Sequence, residues 1–472
     1  MVSFSISGSY TDLYEITMAE AYFLEGRKDD ACFDYFFRKV PNNGAYVVFA
    51  GLQDILSILT DLHFTDDDIS FLKELKFQAS FIDYLKNFQF HCNVYSCPEG
   101  EIVFPNCPIL RVEGNIIEAQ LAETMLLNIL NFESLIATKA SRMKYVAGDS
   151  ILSDFGLRRA QGMGGILATK AATIGGFEST SNVYAAQLYG LTASGTMAHS
   201  FIESYESELE AFRAFVKARP DDCIFLVDTY DTLKSGIPNA ITVAKEMESS
   251  GQRATGIRLD SGDLAYLSKA AKHMLDEAGL FYMKIVASNQ LDEYVIKSLL
   301  EQGAPIDIFG VGTRLVTGQP DAALDGVYKL SMSSGKPRLK LSETLQKTTL
   351  PGIKQVRRVI DENGMFFGAD TVALMEEEKK IDTMYHPVEP GKSLIIENFQ
   401  QESLLQKVME KGKIISASPA LKDIAAYVKK RLALLSAEYK RFENPHLYKV
   451  GISKKLLELR DQLRNYYKKI KE

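Results

Sequence analysis

The chain has 472 residues, enough for about three domains of average size. Hydrophobic residues make up 46% of it and charged residues 24%, which is typical of a globular protein and excludes a mainly disordered chain. Lys and Arg number 54 and Asp and Glu 61, giving a net charge of −7. We therefore expect no general nucleic-acid binding, because that function needs a basic face.

The N-terminus and the cysteines favour a cytoplasmic protein. The chain begins MVSFSISGSYTDLYEIT, without the basic stretch and apolar run of a secretory signal. It contains no run of 18 apolar residues, so we expect no membrane-spanning helix. Five cysteines are an odd and sparse set, typical of reduced thiols. His91, Cys92, Cys97 and Cys107 are close in sequence, but their spacing fits no common zinc pattern.

Residues 1–115 are predicted to form an N-terminal α+β domain. The apolar spacing over 10–24 predicts a helix, with Thr11 or Asp12 as its N-cap. Residues 31–37 and 45–49 read as strands separated by a Pro-Gly turn. Residues 94–113 read as short strands interrupted by prolines.

Residues 116–325 show a different pattern. Helices are predicted over 116–130 and 132–148, followed by seven short apolar runs that each end in polar residues or glycine. The runs cover 151–156, 174–177, 191–195, 223–228, 254–260, 284–288 and 306–312, and two further helices are predicted over 201–217 and 263–278. Alternating strands and helices indicate a parallel sheet, and about seven units favour a closed, TIM-like α/β barrel.

Residues 326–472 are predicted to form short strands and then two amphipathic helices within 421–470, partly joining the N-terminal domain. The strands are expected over 327–332, 338–341, 356–360 and 365–369. The segment 454–472 carries seven Lys/Arg and three Asp/Glu. This excess is either an anion or partner surface or, more commonly, a solvated helix face.

Polar residues and glycines close the predicted barrel strands, where barrels carry their chemistry. Guanidinium groups, hydroxyls and glycine turns bind phosphates, and aspartates hold Mg²⁺. The candidates are Asp154, Phe155, Arg158, Arg159, Thr180, Ser181, Thr196, His199, Asp228, Asp231, Arg258, Asp260, Asp263, Ser288, Asn289, Gly310, Gly312, Thr313 and Arg314. The pattern predicts a polyphosphate substrate bound with magnesium.

His199 is the only one of the six histidines that closes a predicted barrel strand, which favours a functional role over a structural one. The chain lacks the Gly-x4-Gly-Lys-Ser/Thr loop of P-loop ATPases and the Gly-x-Ser-x-Gly elbow of α/β-hydrolases. The first absence excludes the usual P-loop ATPase, and the second argues against an α/β-hydrolase.

The strand-end motifs resemble those of the nicotinate phosphoribosyltransferase family. They read DFGLRRAQG, GGFESTSNV, SGTMAHSF, LVDTYDTL, IRLDSGDL and FGVGTRL, and the likeness begins at YTDLYEITMAEAYF near the N-terminus. It covers about two-thirds of the chain. The resemblance implies an irregular TIM-like barrel, with a second α+β domain built from the two ends of the chain.

The resemblance also implies a reaction. Nicotinate and phosphoribosyl pyrophosphate would give nicotinate mononucleotide and pyrophosphate in NAD salvage, with Mg²⁺ present. ATP hydrolysis would be coupled through a transient phosphohistidine. The family is usually a homodimer in which each active site is completed by the other subunit.

Residue roles follow by motif. His199 would be the phosphohistidine, and Phe155 and the partner subunit's Tyr14 would stack on the two faces of the pyridine ring. Arg158 and Arg258 would bind the nicotinate carboxylate or phosphates. Asp260 would contact the ribose or Mg²⁺, with Asp263 a second candidate metal ligand. A phosphate cradle would comprise Ser288, Asn289, Gly312 and Thr313, and the other substrate-binding candidates are Arg159, Thr180, Ser181, Thr196, Asp228 and Gly310.

Ser181 favours the acid over the amide as substrate. The related nicotinamide enzyme has an aspartate there, which would repel nicotinate, whereas a hydroxyl can donate to it. The alternatives are a nicotinamide or quinolinate phosphoribosyltransferase, or an inactive nucleotide-sensing paralogue. The chain departs from the family pattern at Ser179, Met163–Gly164 and Gln290, where glycine, Pro-Asp and aspartate are frequent.

Overall fold

The computed structural model describes residues 6–341, 348–377, 380–389 and 391–470. The chain forms two compact units, one comprising Met1–Thr138 with Ala323–Glu472 and the other Lys139–Ala322. We call them the terminal unit and the barrel unit. The sequence prediction places its divisions at 115/116 and 325/326. The first observed division falls inside a continuous helix, Glu123–Ala147, so no linker composition marks it in the sequence.

The first part of the terminal unit mixes helices and strands. The predicted helix over 10–24 is confirmed, and Asp12 is its N-cap residue. The predicted break between two helices near residue 131 is wrong, because the break falls at Ala122. The elements are α1 (Leu13–Leu24), β1 (Asp30–Phe37), β2 (Val47–Val48), α2 (Leu52–Thr60), α3 (Asp66–Glu74), α4 (Ala79–Lys86), β3 (Asn93–Ser96), β4 (Ile102–Val103), β5 (Leu110–Asn115), α5 (Ile116–Leu121) and α6 (Glu123–Ala147).

The barrel unit alternates strands and helices. Its strands are β6 (Ile151–Asp154), β7 (Ser179–Thr180), β8 (Thr192–Ala193), β9 (Ile224–Leu226), β10 (Gly256–Leu259), β11 (Lys284–Ser288) and β12 (Ile308–Val311). Its helices are α7 (Gly164–Ile174), α8 (Val183–Tyr189), α9 (His199–Glu203), α10 (Glu208–Ala218), α11 (Ile237–Ser249), α12 (Leu264–Glu277), α13 (Glu293–Glu301) and α14 (Thr313–Val316).

Two details of the barrel prediction are corrected. The apolar run 174–177 is the end of α7 and a loop, and the strand follows at Ser179. The helix expected over 201–217 is two helices, because the Ser207 side chain accepts a hydrogen bond from the backbone N–H of Glu210 and starts α10 afresh.

The barrel sheet has the strand order β8-β7-β6-β12-β11-β10-β9, and each neighbouring pair is parallel. Among the described residues β8 and β9 are edge strands, so backbone hydrogen bonds do not close the sheet between them. The predicted irregular α/β barrel fold is confirmed, but the closed sheet expected from the seven strand runs is not, because the described sheet is open between β8 and β9. All seven strands present their carboxyl ends at the same side, which brings the residues after them together.

The chain then returns to the terminal unit. The remaining elements are β13 (Gly326–Ser333), β14 (Lys336–Pro337), β15 (Lys354–Ile360), β16 (Phe366–Leu374), β17 (Thr383–Tyr385), β18 (Ser393–Ile395), β19 (Gln400–Ser403), β20 (Gln406–Glu410), β21 (Lys413–Ile414), α15 (Leu421–Leu434), β22 (Lys449–Ile452) and α16 (Lys454–Ile470). The predicted C-terminal helices are α15 and α16, separated by a strand. β13 pairs antiparallel with β1, which joins the two ends of the chain in one seven-stranded sheet.

A buried ion cluster lies in the terminal unit. The Arg358 guanidinium on β15 donates to both carboxylate oxygens of Asp370 at 3.0 and 2.9 Å. It also donates to Glu101 at 2.5 Å and to the carbonyl oxygen of Ile102 at 2.6 Å. The side chains of Arg358 and Glu101 are fully buried. Each charge is therefore paired, as burial in a low-dielectric core requires.

Candidate active site

Arg258 connects three strand ends of the barrel. Its Nε donates to Ser288 Oγ at 2.9 Å, and its Nη1 to Thr196 Oγ1 at 3.1 Å. Its Nη2 lies 2.7 Å from Asp260 Oδ1, and Ser288 Oγ also donates to that carboxylate. Most of the five guanidinium N–H groups are used inside the protein. Four residues predicted separately from the sequence therefore form one hydrogen-bonded group.

His199 begins α9 beside this group. Its Nδ1 lies 3.0 Å from Thr229 Oγ1, which fixes the plane of the ring. Its Nε2 lies 3.9 Å from Asp228 Oδ1 and 4.0 Å from Asp260 Oδ2, and the side chain is 40% exposed. One ring nitrogen is thus held by the protein while the other faces two carboxylates, on a side chain that is only partly buried.

Asp228 presents an unused oxygen to this site. Its Oδ2 accepts hydrogen bonds from the Asp260 backbone N–H and from Ser261 Oγ, both at 2.7 Å. Its Oδ1 is buried and has no hydrogen-bond partner in the described part of the chain. A buried, unpartnered carboxylate oxygen is costly unless a ligand or cation completes it.

The donor set suits Mg²⁺ through Asp228 and Asp260. Mg²⁺ binds through one or two carboxylates and takes its other ligands from water and substrate phosphates. Within the described ranges no three His, Cys, Asp or Glu side chains are grouped to hold a metal by themselves. Asp263 accepts from the Tyr266 backbone N–H at 3.0 Å as the N-cap of α12, and Asp231 caps the turn after β9. Metal binding by Asp263 stays a prediction.

Phe155 and Gly310 form a second feature of the site. A Cβ added to Gly310 would lie 2.4 Å from Phe155 Cε2, so the phenyl ring occupies the space that a side chain would need. The guanidinium carbon of Arg258 lies 5.6 Å from the centre of the ring. Gly310 lies inside β12 rather than in a phosphate-binding turn. It makes room for the ring.

Asp154 holds the loops on either side of Phe155. Its carboxylate is buried and accepts from Thr169 Oγ1 at 2.6 Å, Thr180 Oγ1 at 3.0 Å and the Gly156 backbone N–H at 2.8 Å. Burial raises the pKa of Asp154, although these three donors lower it. Thr180, predicted as a substrate ligand, is 1% exposed and faces Asp154 in the structure.

The remaining predicted residues are more exposed. Arg158 and Arg159 lie in a short 3₁₀ turn, and neither has a carboxylate partner among the residues described. Ser181 is half-buried, and its backbone N–H donates to the Asp154 carbonyl at 2.8 Å. Asn289 has a positive φ of 84°. Gly312 and Thr313 begin the short helix α14, and Tyr14 lies on α1 of the terminal unit with 49% exposure.

The sequence analysis names Asp154 among the strand-end candidates without a specific role, and it does not single out Thr229. Each follows or ends a barrel strand, and that position is the only signal the sequence gives for them. Their contacts join segments 15 to 30 residues apart, which a single sequence does not reveal.

Matches to models of known protein families show which family the chain belongs to. The N-terminal domain, the family core and the C-terminal domain of nicotinate phosphoribosyltransferase match residues 10–131, 151–359 and 353–460. The chain belongs to the nicotinate phosphoribosyltransferase family. The predicted family membership is therefore confirmed.

Relatives within the nicotinate phosphoribosyltransferase family match nearly the whole chain. The Bacillus subtilis nicotinate phosphoribosyltransferase is 46% identical over 94% of this chain and 92% of its own length. The Dictyostelium discoideum protein of the same name is 38% identical, over 95% of this chain and 86% of its own. The crystal structure of human nicotinic acid phosphoribosyltransferase superposes with a TM-score of 0.84 at 32% identity, covering 96% and 99% of the two chains.

The helices offer no candidate for a membrane span. Throughout the described ranges, none is both long enough and apolar enough to cross a bilayer.

Proposed function

We propose that this chain transfers the phosphoribosyl group of phosphoribosyl pyrophosphate to nicotinate. The pyridine nitrogen forms a bond to C1 of the ribose while the bond from C1 to the pyrophosphate oxygen breaks. The products are nicotinate mononucleotide and pyrophosphate, a step of NAD salvage. The family assignment supports this reaction, and the hydrogen-bonded group around Arg258 supports its location.

The proposal includes ATP hydrolysis through His199, which places the enzyme with the ATP-dependent ligases as well as the pentosyl glycosyltransferases. Nε2 would attack the γ-phosphorus of ATP, releasing ADP, and water would later cleave the P–N bond. The arrangement of the imidazole ring supports this step. Nδ1 lies 3.0 Å from Thr229 Oγ1, while Nε2 faces Asp228 and Asp260 and the side chain as a whole is partly exposed. A histidine fixed at one nitrogen is preorganised for attack with the other.

The two carboxylates beside Nε2 would repel a phosphoryl group unless a cation lay between them. Asp228 and Asp260 would hold Mg²⁺, which supplies positive charge for the pyrophosphate leaving group. Arg258 keeps Asp260 in place through their 2.7 Å contact.

The nicotinate ring would lie against Phe155, whose position Gly310 permits. Arg158 and Arg159, exposed and without carboxylate partners in the described structure, suit the nicotinate carboxylate or substrate phosphates. The 5′-phosphate would bind at Ser288, Asn289, Gly312 and Thr313, where the backbone N–H groups that begin α14 are unpaired within the helix.

Assembly and location complete the proposal. We infer a cytoplasmic homodimer in which Tyr14 reaches the active site of the other subunit. The 49% exposure of Tyr14 in the single chain leaves its ring free to contact a neighbour. Size measurement by light scattering checks the dimer.

The test is pyrophosphate release from phosphoribosyl pyrophosphate and Mg²⁺. Nicotinate and nicotinamide are compared with and without ATP, for the wild type and His199→Ala. We expect release with nicotinate, stimulated by ATP in the wild type but not in His199→Ala. His273→Ala is the matched control, because His273 lies exposed on α12 of the same unit.

A second readout isolates the phosphorylation. ATP labelled at the γ-phosphate should transfer an acid-labile label to the wild type and to His273→Ala but not to His199→Ala. Release with neither base would contradict the reaction. Normal release without labelling would contradict only the phosphohistidine.

A further inference from the structure

The terminal unit contains a cavity of about 1150 Å³. Residues of β1, β22 and α16 line it, together with residues of the β17–β18 hairpin. Binding sites for small molecules have volumes of about 300–1,000 Å³, so the cavity has room for a molecule of nucleotide size. None of its lining residues belongs to the candidate active site.

The lining of this cavity is strongly basic. It includes seven Lys and Arg side chains and two Asp, in a protein with a net charge of −7. Two of the seven, Arg460 and Arg464, come from α16, whose excess of basic residues is visible in the sequence. A cavity lined mainly by one sign of charge attracts ligands of the opposite sign.

Some of these cations already have partners. Lys354 lies 2.7 Å from Asp34 and also donates to the carbonyl oxygens of Leu350 and Gly352, which uses all three of its donors. Arg460 pairs with Asp461 at 2.8 Å. Lys329 and Lys392 pair with Glu123 and Glu389 respectively. These four contribute more to the structure of the walls than to a ligand.

Three cations have no such partner. Arg38 follows β1, Lys449 begins β22, and Arg464 lies on α16. In the described part of the chain none of them has a carboxylate within 4.0 Å. Like charges on the wall of one cavity repel each other, so an anion bound there would stabilise these three cations from separate elements.

The same cavity has an apolar wall. Phe36, Leu350, Leu394 and Ile452 line it, and Leu447 lies there with 79% of its surface exposed. Inorganic phosphate would leave this wall in contact with water. A ligand that has both an anionic end and a flat apolar body would cover it.

We propose that this cavity binds a nucleotide carrying at least two phosphates. Arg38, Lys449 and Arg464 bind the phosphates, and the base and sugar pack against the apolar wall. The proposal does not rest on the transfer reaction, because none of the lining residues is among the candidate active-site residues.

The experiment measures binding of ADP to the full-length protein by isothermal titration calorimetry. The variant is Lys449→Gln/Arg464→Gln. The matched control is Lys454→Gln/Lys468→Gln, which removes two charges from α16 at exposed positions outside the cavity lining. Adenosine and inorganic pyrophosphate are titrated in parallel, and pyrophosphate release at saturating substrates is recorded for each variant.

We expect the wild type and the control to bind ADP at this site. The cavity variant should show no ADP binding there, or a Kd for ADP at least tenfold higher. Adenosine and pyrophosphate should each bind this site at least tenfold more weakly than ADP. Pyrophosphate release should be the same in all three proteins. Equal ADP affinity in the cavity variant and the control would contradict the proposed location of the site. Pyrophosphate binding there as tightly as ADP would contradict the proposal that the ligand is a nucleotide.

Discussion

Phe155 occupies the space into which a side chain on Gly310 would project, with Cε2 only 2.4 Å from the position of the missing Cβ. The centre of the same ring lies 5.6 Å from the guanidinium carbon of Arg258. Its orientation therefore depends on a glycine in the neighbouring strand, and the surface offered to a pyridine ring depends on both residues.

Gly310→Ala should displace the Phe155 ring. Overpacking of this kind costs about 1–3 kcal/mol. If this cost reduces the free energy of nicotinate binding, the KM for nicotinate rises about tenfold for each 1.4 kcal/mol lost. Steady-state kinetics with nicotinate varied measures it. A melting temperature recorded alongside separates loss of binding from loss of folding, and an unchanged KM would mean that Phe155 does not bind the base.

Thr229→Val should weaken coupling to ATP. The substitution keeps the shape of the side chain but removes the hydroxyl that lies 3.0 Å from His199 Nδ1. We expect less ATP-dependent stimulation of pyrophosphate release, while the rate without ATP is retained. Thr229→Ser keeps the hydroxyl and should behave as the wild type does. Equal coupling in Val and Ser variants would show that the contact does not orient the ring.

Ser181→Asp should reduce the use of nicotinate. A carboxylate at this half-buried position repels the nicotinate carboxylate but can accept from the amide of nicotinamide. The ratio of kcat/KM for the two bases should shift toward nicotinamide. Ser181→Asn adds similar volume without charge and should shift the ratio less, so equal effects of Asp and Asn would point to size rather than charge.

Glu15 predicts a pH dependence of stability. Burial raises the pKa of Glu15 from 4.5 to about 7, against a lowering hydrogen bond from Thr124. The folded state therefore favours the protonated carboxyl of Glu15. The stability that this preference contributes to the folded state is fully present below pH 4.5 and is lost as the pH rises through about 7. The melting temperature of Glu15→Gln should exceed that of the wild type by an amount that grows as the pH rises from 4.5 to about 7. Glu25→Gln, at an exposed position, should follow the wild type.

Arg358→Met should destabilise the terminal unit. Removing the guanidinium leaves Asp370 buried without a cationic partner and Glu101 paired with Arg431 alone, and breaking a buried pair in this way costs about 3–5 kcal/mol. Urea unfolding measures the loss. Arg213→Met, which breaks an exposed pair with Glu246, is the control and should change stability little. Similar midpoints for the two variants would show that the buried cluster is dispensable.

Much of the barrel was predictable because most strands of the sheet lie in a short apolar run that ends in a polar residue or glycine. His199, Arg258, Asp260 and Ser288 were located in this way. The two-residue strand β7 was misplaced because the apolar end of α7 directly precedes it. Apolar runs of that length do not distinguish a buried strand from the last turn of a helix.

Contacts across the fold were not predictable. Thr180 lies in a strand-end motif, yet its hydroxyl faces Asp154, 26 residues earlier in the chain. The cavity in the terminal unit combines Arg38 with Lys449 and Arg464, residues that no local pattern relates. Periodicity reports which face of an element is buried, but it does not report which distant side chain lies opposite.

The pairing of β1 with β13 has a consequence for synthesis on the ribosome. β1 ends at Phe37, and its neighbour begins at Gly326. At about 5–20 residues per second, the nascent chain needs roughly 15–60 s to reach that neighbour. One edge of β1 meanwhile has backbone groups that β13 has not yet satisfied, and such edges pair readily with other chains. The completed barrel unit emerges before this edge is covered, so chaperone binding to the early chain would be most useful during that interval.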